Sequence, residues 1–160
     1  MTELRIREAA RVIVLDDEDH VLLTRFTFLD GLEVWTTVGG GVEAGEIHED
    51  AARRELREEA GLEVREVGPC VWTRDHLIHN PVSFDVQRER FFLVRTKAFE
   101  PIPRLSWPEL NAEGMTGIRW WTIEEILAAT DTRFGPRRLG PLLADLVRDG
   151  VPAEPIDVGV

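Results

Sequence analysis

The segment from Val34 to Gly61 constrains this chain more than any other. Val34 to Val38 is a short β-prone run that enters Gly39-Gly40-Gly41, where three consecutive glycines release the backbone from ordinary steric limits and turn strand into loop. From Glu46 to Ala60 the composition switches to Ala, Glu, Arg and Leu with neither Gly nor Pro, which predicts a helix, and Gly61 stands where that helix should stop. At about 100° per residue, Glu55, Glu58 and Glu59 fall within an arc of about 100°. Ala52, Leu56 and Ala60 form the neighbouring apolar stripe, and Arg53, Arg54 and Arg57 lie on the other side. Three carboxylates at these spacings repel one another at a cost of a few tenths of a kcal/mol per pair, so a merely solvated face would interleave Lys or Arg. The spacing asks for a cation.

Charge sharpens that expectation. The chain carries 30 acidic and 19 basic residues over 160 positions, a formal charge of −11. Such a chain, with no stripe of Lys and Arg, repels a phosphate backbone, so a nucleic-acid polymer is not expected as a partner. Residues 40–62 alone hold seven acids and three arginines, a net −4. Carboxylate oxygens are hard ligands that suit Mg²⁺, with Mn²⁺ as the alternative, and no Cys or His stands at zinc-like spacing to compete. A cation of this kind bridges carboxylates to phosphates, which lets an anionic protein hold an anionic substrate. Arg54 precedes Glu58 by four residues and can pair with it and hold it still. A fixed carboxylate can then orient or deprotonate a metal-bound water.

At this point the segment resembles the Nudix box, the signature G-x5-E-x7-R-E-U-x-E-E-x-G-U with U an aliphatic residue. It matches at Gly40, Glu46, Arg54, Glu55, Leu56, Glu58, Glu59, Gly61 and Leu62. The order of strands before and after extends the resemblance to the span from Arg5 to Arg148. The resemblance implies an α/β/α sandwich and Mg²⁺-dependent hydrolysis of a nucleoside diphosphate linked to another moiety. It also implies that the Gly40 carbonyl and the carboxylates of Glu55, Glu58 and Glu59 sit at the metal, oriented by Glu46 and Arg54. A further acid outside the box commonly serves as ligand or base in the family, and Glu89 is the expected one. Arg25 ends a strand where related enzymes often place a basic residue against substrate phosphate, and is a candidate for that role or for a solvated strand end. Three positions depart from common family usage: Val38, Ala44 and Ile47, the last of which removes a hydroxyl helix cap worth about 1 kcal/mol.

The rest of the chain supplies the frame. Arg11 to Leu15 and Val21 to Phe26 read as a hairpin across an acidic turn, Leu62 to Trp72 and Phe84 to Thr96 as strands separated by a turn at Asn80-Pro81, and Ile118 to Trp121 as another strand. Residues 100–117 read as a surface loop, and Ile123 to Ala129 and Arg138 to Arg148 as helices. The expected fold class is therefore α/β, a mixed sheet between helices, as one domain over residues 1–160. Alternation puts Gln87, Glu89, Phe91 and Leu93 on one face of their strand, with Arg88, Arg90, Phe92 and Val94 on the other. Trp35 is a candidate to stack on a base or to pack in the core; Trp72, Trp120 and Trp121 are expected in the core. Cys70 reads as a buried small apolar residue, His76 and His79 are not expected to form a metal pair, and Arg133 to Arg138 reads as solvated surface.

A lone cysteine and the absence of any long uncharged apolar run point to a reduced, cytoplasmic protein with no membrane partner. The leading expectation is a pyrophosphohydrolase acting on a small nucleotide, such as a nucleoside triphosphate or a nucleotide sugar. A homodimer is compatible with the resemblance, although no residue pattern fixes its interface. The alternative is a nucleotide-sensing module of the same fold that does not cleave, and an isomerase reading lacks a suitably placed cysteine. The resemblance ties diadenosine polyphosphate specificity to a downstream tyrosine, and the chain has no tyrosine, so that substrate is not expected.

Overall fold

Two layers of apolar side chains, one on each face of a mixed sheet, organise the structure, a computed structural model that describes residues 2–78 and 81–159. The strands are β1 (Ile6–Leu15), β2 (Val21–Thr27), β3 (Glu33–Gly41), β4 (Cys70–Leu77), β5 (Val86–Arg95), β6 (Met115–Trp121), β7 (Phe134–Gly135) and β8 (Ile156–Asp157). The helices are α1 (His48–Ala60), α2 (Trp107–Ala112), α3 (Ile123–Ala128) and α4 (Leu139–Asp149). The sheet runs β6-β2-β3-β1-β5-β4-β8, with β7 beside β3. At its centre β1 pairs in parallel with β5 along its whole length and antiparallel with β3 from Ala9↔Gly41 to Val12↔Val38.

Side-chain alternation along β1 and β5 sorts the core into its two halves. Val12, Val14, Phe92 and Val94 face α1 and pack against its Ala51, Ala52, Leu56 and Ala60. Ile13, Leu15, Phe91 and Leu93 face the other way, against Ile126 of α3 and Leu139, Leu143 and Leu146 of α4. Burying one side chain such as Leu56 contributes about 1.5–3 kcal/mol, so the apolar stripe fixes how α1 rolls on the sheet. Once that roll is set, the acidic arc of α1 must point toward the glycine end of β3. The expected sheet sandwiched between helices is the observed architecture.

Gly61 ends α1 as expected, in the left-handed conformation at φ 71°, where its N–H reaches the Arg57 carbonyl and that of Leu62 reaches Leu56. At the other end Ile47 is the N-cap and offers no side-chain bond, while Glu49 and Asp50 occupy the first turn. Ile47 is more than half exposed, so little packing depends on it. Ile47→Ser is expected to stabilise the fold by about 1 kcal/mol, read as a rise of roughly 2–4 °C in the melting temperature by calorimetry. An unchanged melting temperature would show that the dipole interaction of Glu49 and Asp50 already satisfies that end.

Five local expectations need correction. The β1–β2 hairpin is confined to its closing pair, Leu15↔Val21, because β2 pairs instead with β3 and β6. Residues 62–69 are not strand; Gly68 and Pro69 break the run, and β4 starts only at Cys70. Within 100–117 lies α2, nucleated by a capping box in which Ser106 and Glu109 bond each other's backbone N–H, with Pro108 in the first turn. Residues 133–138 are only partly surface: Phe134 meets Trp121 edge-on at 5.4 Å, and Gly135 pairs with Thr36. Trp72 and Trp121 are in the core as expected, and half-buried Trp120 donates from its indole N–H to the Phe99 carbonyl. Cys70 is half-buried rather than fully enclosed. His79 and Asn80 lie outside the described residues, so the expectations that fall on them do too.

Candidate active site

The acidic face of α1 and the glycine end of β3 meet at Arg54. Its guanidinium uses its fixed fork of N–H donors on several partners at once. Nε donates to Glu46 Oε2 at 2.9 Å, Nη1 to Glu55 Oε1 at 2.9 Å and to Glu58 Oε2 at 3.3 Å, and Nη2 to Glu46 Oε1 at 3.0 Å and to the Gly41 carbonyl at 2.9 Å. The expected pairing of Arg54 with Glu58 is therefore present, with Glu46 as a second anchor outside the helix. The hydrogen bond from Arg54 also holds the Glu46 carboxyl below its ordinary range.

Glu59 sits deeper. It is 2% exposed and accepts the Gly39 N–H at 3.0 Å through Oε1. Burial pushes its carboxyl well above the usual range, and the neighbouring charge of Glu55 adds to the effect. Burial raises Glu55 as well, against the pull of Arg54. Gly40 leaves space at this point: a Cβ there would stand 2.6 Å from Glu55 Oε1. The box residues singled out from the sequence are thus gathered around one strand end, with a surplus of negative charge that one arginine only partly offsets.

Glu89 is elsewhere. It shares the sheet face of Phe91, opposite α1, and is fully buried. Arg11 Nε donates to its Oε2 at 2.7 Å, Arg74 Nε to its Oε1 at 2.5 Å, and Gln87 Nε2 to Oε2 at 3.1 Å. Burial would raise this carboxyl, but the two arginines outweigh it and hold it below the ordinary range. Its oxygens are occupied by Arg11, Arg74 and Gln87 and are not turned toward Glu55 and Glu59. Half-buried His76 follows Arg74 by two residues on β4, and among the described residues its Nδ1 has no hydrogen-bond partner.

Arg25 and Trp35 lie across the sheet. Arg25 donates to Thr116 from Nε, to the hydroxyl at 3.1 Å, and from Nη2, to the carbonyl at 2.8 Å, and its Cζ lies 5.7 Å from the Trp35 ring. Trp35 is half-buried, with one edge against Trp121 at 5.2 Å and Arg119 also over its ring. Two residues escaped sequence reasoning. Arg7 donates to Gln87 at 3.0 Å beside Gly41 and over the Phe84 ring, in a stretch whose charges hid the strand. Glu113, just after α2, is near enough for its charge to act on both Glu59 and Arg7. The capping box at Ser106 was the signal that could have drawn attention to its segment.

A sequence model of the NUDIX domain matches residues 5–143. This chain belongs to the Nudix family. The Nudix chain is 40% identical to the nucleoside triphosphatase NudI of Escherichia coli, over 38% of its own length and 43% of that protein, so the match spans less than half of that relative. It is 30% identical to an RNA pyrophosphohydrolase of Halorhodospira halophila over 72% of the Nudix chain and 68% of the relative. Among solved structures, the Escherichia coli ORF135 protein superposes with a TM-score of 0.63 at 25% identity, covering 94% of the Nudix chain and 96% of the other. Nudix hydrolases work with divalent metal ions and act on small nucleotides. Among the described residues, no helix of the Nudix chain is long and apolar enough to cross a membrane.

Proposed function

We propose that this protein is a pyrophosphohydrolase that cleaves the diphosphate linkage of a small nucleotide, with Mg²⁺ as its cofactor and Mn²⁺ as a substitute. The observation that carries the reading is the buried, like-charged pair Glu55 and Glu59 beside Gly40, a residue whose missing side chain leaves room against Glu55. Whether these donors suit a hard cation can be judged from the chain itself. Among the described residues no three acidic, His or Cys side chains converge on one point as they stand: Glu55 and Glu58 accept from Arg54, and Glu59 accepts from the Gly39 N–H. Their chemistry nevertheless fits: all are oxygen donors, and a cation would relieve the repulsion that raises Glu55 and Glu59. In this reading Glu55, Glu58, Glu59 and the Gly40 carbonyl hold the metal.

When bound, the metal would neutralise charge on the phosphate oxygens and make a bound water more acidic. The chain's own residues do the rest. Arg54 fixes Glu55 and Glu58 through one guanidinium, and Glu46 fixes Arg54. Glu58 is the most solvent-exposed of the three carboxylates, and its Oε1 is not engaged by Arg54. That oxygen can take the proton of a water that attacks phosphorus while the bridging P–O bond breaks and the leaving phosphate keeps the electron pair. Arg25 and Trp35 are proposed on the substrate side, with Arg7 as a further cation at the rim. Glu89 is not proposed as ligand or base, because Arg11, Arg74 and Gln87 occupy its carboxylate.

The deciding experiment is a screen of nucleoside triphosphates, nucleotide sugars, dinucleoside polyphosphates and a 5′-triphosphorylated RNA, with and without Mg²⁺, ranked by kcat/KM. Metal-dependent release of phosphate-containing products from a small nucleotide supports the reading. Binding without cleavage of any member would favour a sensor, and preference for the RNA would override the charge argument. A linked prediction concerns pH. A carboxyl raised in the folded state weakens the metal-free fold as pH climbs from about 4.5 through the raised value. Added Mg²⁺ should therefore lift the melting temperature more at about pH 8.5 than at about pH 5.5. Glu89, lowered instead, supplies stability that is lost only below about 4.5 and leaves this window untouched. An equal Mg²⁺ shift at both pH values would count against Glu59 as a ligand.

A further inference from the structure

The backbone at Gly39 is gripped from both faces of the sheet. On the helix side its N–H goes to Glu59 at 3.0 Å. On the opposite side Arg11 Nη1 donates to the Gly39 carbonyl at 3.1 Å and to the Thr37 carbonyl at 3.3 Å. Gly39 has φ +149°, and a Cβ there would run into the backbone of Ala10 and Arg11, so the peptide can lie this close only because no side chain intervenes. Arg11 is itself almost fully buried, and its Nε is held by Glu89 at 2.7 Å, while Arg74 braces the other oxygen of Glu89.

Burying two arginines and a glutamate is expensive, and a well-packed apolar trio of similar volume would often serve stability as well or better. The ionic version does something an apolar one could not: it places donors on two β3 carbonyls next to Gly40. We propose that Glu89 and Arg11 are positioning residues, in which Glu89 fixes the Arg11 guanidinium and Arg11 fixes the Gly39–Gly40 peptide, so that the Gly40 carbonyl and Glu59 are presented together to the cation. This rests on the metal-centre reading above for its purpose, but not for the contact itself. It assigns Glu89 a role through Arg11 and the backbone, without touching metal or substrate. Arg74 supplies the internal comparison, since it shares Glu89 and the burial but among the described residues makes no hydrogen bond to β3.

The test uses the full-length chain and the variants Arg11→Lys, Glu89→Gln and Arg74→Lys, each first shown to be folded by its melting curve. Two quantities are read: Mn²⁺ affinity by electron paramagnetic resonance, and amide hydrogen exchange at Gly39 to Gly41 in metal-free protein. Arg11→Lys keeps the charge but loses the fork, and should weaken Mn²⁺ binding by about tenfold or more, as outer-shell substitutions do. It should also speed exchange at Gly40, the N–H of the peptide whose carbonyl Arg11 holds, by a similar factor. Glu89→Gln should follow it in both. Arg74→Lys should leave both within about twofold of the unaltered chain, even where its melting temperature falls as far. The proposal is overturned if Arg11→Lys exchanges and binds like the unaltered chain, or if Arg74→Lys changes both as much. Should the unaltered chain bind no Mn²⁺, the metal-centre reading fails, and the exchange measurement alone still decides whether Arg11 holds Gly39. If Arg11→Lys does not fold, Glu89→Gln carries the comparison, because it leaves both arginines in place.

Discussion

Glu59→Gln is expected to yield a folded protein that, without metal, melts at a higher temperature than the unaltered chain once the pH rises above about 4.5, yet turns over its substrate about a thousandfold more slowly. The two effects have one origin. Glu59 is buried beside Glu55, and its raised carboxyl shows that the folded state resists the charge at this position. A glutamine of the same shape removes that charge and still offers an oxygen to the Gly39 N–H. Stability therefore rises wherever the carboxyl would be ionised in the unfolded chain. Under the proposed function that same charge draws in the metal, whose stabilisation of the transition state is worth several kcal/mol, and each 1.36 kcal/mol is a factor of ten in rate. Calorimetry and a Mg²⁺ titration of kcat check both halves, and the rise in melting temperature caused by Mg²⁺ should disappear. Full turnover in this variant would remove Glu59 from the metal centre, and a lower melting temperature would mean that its charge is favourable as folded.

The second large effect separates two adjacent glycines. Gly39→Ala combines a backbone angle that side chains rarely adopt with a Cβ driven into the main chain of β1, which cannot yield without opening the sheet. A loss of about 3 kcal/mol or more is expected, or roughly 6–12 °C in the melting temperature. Gly40→Ala has no such penalty, because its nearest neighbour would be the end of a flexible glutamate. That variant should melt within about 2 °C of the unaltered chain and lose at least about tenfold in Mg²⁺ affinity, since its methyl group occupies the space beside Glu55. Thermal melts with metal titration distinguish the pair. Equal destabilisation at both positions would place the crowding in the loop as a whole rather than at the strand.

What could be read from the residues alone follows how far apart the interacting groups lie along the chain. The acidic arc, the Arg54 pairing, the Gly61 stop and the uncapped Ile47 are all set within a turn or two of sequence, and each is found where expected. A short-range signal can also be masked by composition: Ser106 and Glu109 spell out a helix start inside residues 100–117, whose Pro and Gly residues otherwise favour loop. Glu89 shows the other limit. An acid ahead of an apolar strand looks like a site residue, but its meaning is set by Arg11, 78 residues earlier, and Arg74, 15 residues earlier. No periodicity reports such pairings. Arg7 was hidden for a related reason, since a strand whose residues face a polar site loses the alternation that announces it.

The central place of β1 has a consequence during synthesis. Its parallel partner β5 begins 80 residues after it, at Val86 opposite Ile6. By the time Gly41 has been made, β1 can pair with β3 on one side only, and its other edge stays bare until Arg95 is added, 54 residues later. At about 5–20 residues per second that is roughly 3–11 s with an unsatisfied edge strand at the middle of the future sheet. Long-range parallel pairing of this kind also folds slowly once the chain is complete. The charged residues Arg7, Glu8 and Arg11 along that edge, which later brace the interior and rim of the site, would in the meantime discourage one nascent chain from zipping onto another.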